Sequence, residues 1–266
     1  MAASERVVDR TRGWIVPKPK AAKVNGDGQR KDLSAEADSS EARQAISEQA
    51  HLDLRKLILT GELPAGEEFT QSELGRRLGV GRTPLRDALR LLEREGLIVN
   101  TGPHRSVRIS PLSMSDLDDL YAMRLTGEAL ATWMTVPVLR TSDFDRLGAE
   151  LDLIEKGDRD AHRRFHAGFR VALGPRMIHE LEVLSDHAER YQWAALAAEP
   201  DDESVAARLA EHRPILEAAI ARDRKLARDL MVDHLAATAQ TLMAAARHAP
   251  YTLPAAIAMA KCGWGC

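Results

Sequence analysis

Two sets of residues in this chain have types and spacings suited to chemistry. Arg82, Arg86 and Arg90 recur at every fourth position within GVGRTPLRDALRLLEREGLI, which sets them along one face of a single helix. A guanidinium grips phosphate, or the O6 and N7 edge of guanine, in a bidentate way, so such a face suits nucleic acid; a plain solvated face is the alternative. The second set is His162, His166, His212 and His234. His162 and His166 stand four apart and share a helix face, as chelation requires. Imidazoles bind Zn and similar divalent ions at about 2.0–2.1 Å, and three or four converging from different helices make a site. From spacing alone, surface or core histidines are the simpler reading, and His179, His187 and His248 show that the region carries further ones.

Helices must position both sets. The 266 residues are 44% hydrophobic but only 4% aromatic, and the abundance of Ala, Leu and Arg favours helix over sheet. Residues 1–42 mix Lys, Arg, Gly, Pro, Ser and Asp without apolar periodicity and read as a disordered arm. From there Ala45, Ile46, Leu52, Leu54, Leu57 and Ile58 give a mostly helical stripe that ends at Gly61 and Pro64. FTQSELGRRLGVGRTPLRDALRLLEREG follows as a short helix, a turn at Gly79 and Gly81, and a second helix. Thr70 and Glu73 form a capping box for the first, and Arg82 or Thr83 opens the second with Pro84 in its first turn. Leu85, Ala88, Leu89 and Leu92 form the inward stripe opposite the arginines. LIVN and SVRIS around a Gly-Pro turn predict a hairpin. Helix, turn, helix and hairpin together are a winged helix-turn-helix, predicted over 43–110. Arg82, Thr83 and Arg86 lie on its recognition helix, and between Arg76 and Arg108 eight arginines lie among three acids (Asp87, Glu93, Glu95) in a chain of net charge −3. A nucleic-acid site would therefore be a local patch.

From 111 to 248 six helical runs joined by short loops predict an antiparallel bundle, the first capped by Ser115. Residues 249–266, ending in KCGWGC, read as a flexible tail. The fold class is thus mostly α: a winged helix-turn-helix followed by an all-helical bundle. No apolar run approaches the roughly 20 residues that span a bilayer, and no secretory h-region opens the chain, so a cytoplasmic protein is expected, with no membrane partner. Two cysteines near the end, Cys262 and Cys266, form no disulfide framework.

SELGRRLGVGRTPLRDALRLLEREGLI resembles the DNA-binding signature of the GntR family of bacterial regulators. The resemblance implies that Arg82, Thr83 and Arg86 contact bases and phosphates, that Ser72 meets a backbone phosphate, and that the wing tip at His104 and Arg105 enters the minor groove. The family's wing usually carries Arg-Gly where this chain has Arg105-Ser106. Residues from about 112 to 247 resemble the helical ligand domain, called FCD, of the FadR-like branch, through MRLTGE, RRFHAGF and EHRPILEAAIARDRKLARDLMVDHL. Metal-bearing members use an Asp and three His. Here His166, His212 and His234 carry over, and His162 stands in place of the Asp. Four imidazoles, with one negative charge fewer, favour Zn or Ni over Mn or Mg; alternatively His162 swings out and leaves three ligands with open positions. The resemblance also puts Arg124 in the cavity, ready for an organic-acid carboxylate, with a same-helix pair to Glu128 as the alternative.

The function these residues imply is a ligand-responsive regulator, a repressor, that binds a double-stranded inverted-repeat operator as a homodimer and is released by a small carboxylate. The competing class is a metal-dependent hydrolase-like enzyme using the histidines. It would need a general base; Glu211 precedes His212, but adjacent helical residues diverge, and no H-E-x-x-H occurs.

Overall fold

A computed structural model describes residues 29–100, 106–198 and 211–262. Residues 1–42 and 43–266 separate as two units. Helix α1 spans Gln29–Leu59, so residues 29–42, expected within a disordered arm, are helical. Their run of Gln, Arg, Lys, Glu and Ala contains neither Gly nor Pro to interrupt it. Residues 1–28 lie outside the described residues.

The α1 stripe differs from the expected one. Ala50, Leu54 and Ile58, spaced by four, are buried, whereas Ile46 and Leu52 are exposed. Strand β1 (Glu68–Thr70) leads into α2 (Gln71–Leu78), which Thr70 and Glu73 cap reciprocally as expected. Gly79 makes the turn at φ +67°, a backbone region costly for residues with a Cβ, and Gly81 precedes α3 (Arg82–Arg94). Strands β2 (Ile98–Asn100) and β3 (Ser106–Ile109) pair antiparallel, and β1 joins the other edge of β3 with Phe69 opposite Val107. The hairpin is thus a three-stranded sheet in the order β1-β3-β2. The third strand was hidden in sequence by its length of three residues. The tip residues His104 and Arg105 lie outside the described residues. Leu74, Leu85, Ala88, Leu89, Leu92, Leu97, Val107 and Ile109 close a core with α1.

The rear core is separate. Helices α4 (Met114–Thr135), α5 (Thr141–Ile154), α6 (Arg159–Gly168), α7 (Pro175–Ala198), α8 (His212–Ile220) and α9 (Arg224–Ala245) enclose it. The α4 cap is Ser113, whose hydroxyl accepts from the Asp116 amide, and not Ser115, which lies one position inside the helix. α6 lies close on α5, because a Cβ on Gly168 would come within 2.6 Å of the Leu147 side chain. The expected flexible tail is instead a further helix, α10 (Leu253–Cys262), with Leu253, Ala256 and Ala260 buried in the rear core. Asp118 on α4 starts it by accepting from the amides of Tyr251, Thr252 and Leu253 at 2.8, 2.7 and 3.0 Å. Residues 263–266 lie outside the described residues. Among the described residues, no helix is long and apolar enough to cross a membrane.

Candidate functional site

Arg82, Thr83, Arg86 and Arg90 are exposed, while the opposite side of α3 is buried through Leu85, Ala88, Leu89 and Leu92. The helix therefore turns its apolar stripe inward and its guanidiniums to solvent. Arg90 pairs loosely with Asp87 at 3.5 Å; among the described residues Arg82 and Arg86 form no ion pair. Ser72, also exposed, stands on the first turn of α2.

The four histidines converge from three helices. His162 and His166 project from α6, His212 opens α8, and His234 lies midway along α9. One ring nitrogen from each falls within 4.8 Å of the others. His166, His212 and His234 are buried, and His162 is partly so. Four donors at about 2.1 Å around one ion sit about 3.4 Å apart, so small ring rotations would close the set on a Zn-sized cation. Two further observations fit such an ion. Among the described residues neither ring nitrogen of His166 has a hydrogen-bond partner, although both are buried, which is costly for a polar group with nothing else to meet. Burial also holds His162 and His166 well below the usual histidine range, and the neighbouring histidines, Arg124 and other cations push the same way. Neutral rings keep their lone pairs available for a metal.

Glu211, set aside in sequence, belongs to the site. Its carboxylate bonds Nδ1 of His234 at 2.8 Å. The carboxylate can only accept, so Nδ1 carries the proton and Nε2 is left as the donor toward the cluster. Sequence held no direct signal for this contact, which joins residues 23 positions apart. Because Glu211 engages the outer nitrogen of a histidine, it is not placed as a free general base.

Beside the cluster a narrow cleft, partly open to solvent, is lined by Arg124, His162, Arg163, His166 and Arg170, with Ser185, Glu189 and Gln192 from α7. Arg124 is 3% exposed, and its buried Nε makes no hydrogen bond among the described residues. The same-helix pair to Glu128 is at the limit of an ion pair, 4.0 Å. Glu128 is instead gripped by Arg170, whose Nε lies 3.1 and 3.2 Å from its two oxygens. Arg124 thus lines the cleft with a charge that Glu128 meets only at 4.0 Å.

Residues 46–103 match the family described as bacterial regulatory proteins, gntR family, and residues 119–237 match the FCD domain. The HTH-type transcriptional regulator YdhC of Bacillus subtilis is 31% identical over 120 residues, 45% of this chain and 50% of that protein. An HTH-type regulator from an unstable DNA locus of Streptomyces ambofaciens is 28% identical over 219 residues, 75% of this chain and 86% of that protein. The probable D-xylose utilization operon transcriptional repressor of Paenarthrobacter nicotinovorans is 27% identical over 188 residues, covering 68% of this chain and 81% of its own. Among solved structures, E. coli McbR/YncC has the same fold, with a TM-score of 0.68 at 18% identity over 76% of this chain and 98% of that one.

Proposed function

The chain belongs to the GntR family of bacterial regulatory proteins, as a DNA-binding transcriptional regulator with an FCD domain, and we propose that it represses through an inverted-repeat operator and answers to a small carboxylate held beside its histidine cluster. The observation that carries this reading is the convergence of four ring nitrogens beside a cleft that Arg124 lines together with His162 and His166. Repression is supported by the relative from Paenarthrobacter nicotinovorans, whose name states it.

On the DNA side, Arg82, Thr83 and Arg86 read the major groove, Ser72 holds a phosphate, and the wing residues His104 and Arg105 reach the minor groove. A homodimer sets two such helices against the two halves of a near-palindrome. On the effector side, His162, His166, His212 and His234 hold a Zn or Ni ion. With His162 turned aside, an ion held by the other three histidines would keep an open position at which it could anchor one carboxylate oxygen. Arg124 takes the other oxygen, and its burial excludes the water that would weaken that pair.

The test joins both ends. Protein purified without a His tag is expected to carry close to one transition-metal ion per chain. His166→Ala and His234→Ala lose it, while His187→Ala keeps it. Retention of metal by His162→Ala would reduce the set to three ligands. With the operator obtained by selection from random duplexes, Arg82→Ala or Arg86→Ala is expected to cost about 1–3 kcal/mol and flatten sequence preference. A metal-free wild type, or unchanged operator affinity in both arginine variants, would overturn the corresponding half.

A further inference from the structure

Helix α7 stands between the cleft and the DNA-binding domain and bonds to both. Ser185, Glu189 and Gln192 line the cleft. On the same helix, Nε2 of His187 lies 2.6 Å from the carbonyl of Glu95, the residue that ends α3, and Arg190 donates to the carbonyl of Ser110. Asp186 joins the two sides. Its carboxylate takes NH1 of Arg163 at 2.9 Å and also pairs with Arg55 of α1. Arg55 reaches on to the Glu95 carboxylate, Nε to Oε2 at 3.2 Å, and His51 meets the other oxygen at 2.6 Å. Arg163 follows His162 on α6, also pairs with Glu189, and lines the cleft with its side chain 38% exposed.

We propose that the ion-pair chain Arg163–Asp186–Arg55–Glu95 is the relay by which an anion in the cleft acts on the recognition helix. Asp186 is buried, and a buried carboxylate needs its cations. It has two, one from each domain. Arg163 has a single planar fork, so an anion seated beside Arg124 competes for it with Asp186 and Glu189. When Arg163 turns to the ligand, Asp186 depends on Arg55 alone. Arg55 then shifts toward Asp186 and away from Glu95, and the C-terminal end of α3 loses a tether. The chain is contiguous, and coupling between distant sites requires a second arrangement of it, the one with Arg163 on the ligand, that the anion favours. Its effector end rests on the function proposed above; the relay itself can be tested with no effector, metal or operator present.

The measurement is hydrogen exchange in the full-length protein at the amides of Leu92–Leu97, several of which are bonded within the end of α3. The variants are Arg163→Gln, Arg163→Lys, Asp186→Asn and the double variant Arg163→Gln with Asp186→Asn. Among the described residues, Arg163 bonds only to α7, so any effect of its loss on α3 must travel through that helix. Exchange at Leu92–Leu97 is expected to rise about fivefold or more in Arg163→Gln, the lower end of usual coupling, whereas Asp186→Asn, which frees Arg55 for Glu95, is expected to leave it at or below the wild-type rate. The double variant is expected to be no faster than Asp186→Asn, and Arg163→Lys, which keeps one charge without the fork, to be intermediate. Wild-type exchange in both Arg163 variants overturns the relay. So does a rise spread equally over α4 and α9, which marks general loosening. Absence of metal or of operator binding would defeat the proposed function while leaving this readout in place.

Discussion

Glu211 is the residue whose role changes most between sequence and structure. Beside His212 in sequence it suggests a base; in space it bonds the outer nitrogen of His234 at 2.8 Å. A carboxylate there fixes the ring orientation and tautomer and makes the imidazole a stronger donor. Glu211→Gln is therefore expected to lower zinc affinity about 10–100-fold with the four histidines intact. Competition with a coloured chelator measures it, and an unchanged affinity would make the contact incidental. The four histidines themselves were legible, because i,i+4 spacing on α6 and the FCD motifs mark them without any knowledge of packing. Glu211 was not, because its partner lies on a different helix and adjacent helical residues ordinarily point apart. The Arg55–Asp186–Arg163 chain was hidden for a similar reason. Each member, seen alone, is an ordinary charged residue on a helix, and only their tertiary approach makes them a network.

At the scale of elements, local signals predicted well and distant ones did not. The α2 capping box, the glycine turn and the inward stripe of α3 are written within a few residues, and all three are present. Helix α10 had no such signature. Its run LPAAIAMAKC is small and apolar without a polar stripe, and its N-terminal amides are capped by Asp118, 135 positions before Leu253. Asp118 is buried, which raises a carboxylic acid's pKa, but the three backbone donors outweigh that and hold it below the usual value of 3.8. Asp118→Asn removes the charge and leaves an amide NH₂ facing at least one of the three N–H groups. It is expected to cost about 1–3 kcal/mol at neutral pH by chemical denaturation. Because the folded pKa is depressed, the native charge stabilises above the unfolded value and that contribution is lost as pH falls through the folded one. The gap between wild type and variant should accordingly be full at pH 7 and narrow below about 3.8. A gap that persists in acid would show that side-chain packing, not the carboxylate, seats α10.

The whole molecule joins a basic reading head to a bundle whose interior holds histidines and an arginine, in a chain of net charge −3. The two cores are distinct, so under the proposed function an effector held in the bundle would act on DNA through the contacts between them. A ligand moves such an equilibrium by no more than its difference in affinity for the two arrangements. Typical coupling of about 1–3 kcal/mol corresponds to a 5–150-fold change in operator affinity. Arg124 lies on the effector side: it is buried in the rear bundle, lines the cleft, and has no described bond to the DNA-binding domain. Arg124→Ala should therefore leave operator affinity without effector near the wild-type value. Glu128 does not lose its main partner in that variant, because Arg170 holds it. Response is a different matter. In zinc-loaded protein titrated with a panel of small mono- and dicarboxylates, the wild type is expected to release operator with at least one of them. Arg124→Ala should then need a far higher concentration of the same compound, since one of the two anchors for the carboxylate is gone. A mutant that responds at the wild-type concentration would make Arg124 a structural cation. A mutant that loses operator binding outright would mean that the arginine supports the DNA-competent arrangement itself, and the division between reading head and sensor would have to be redrawn.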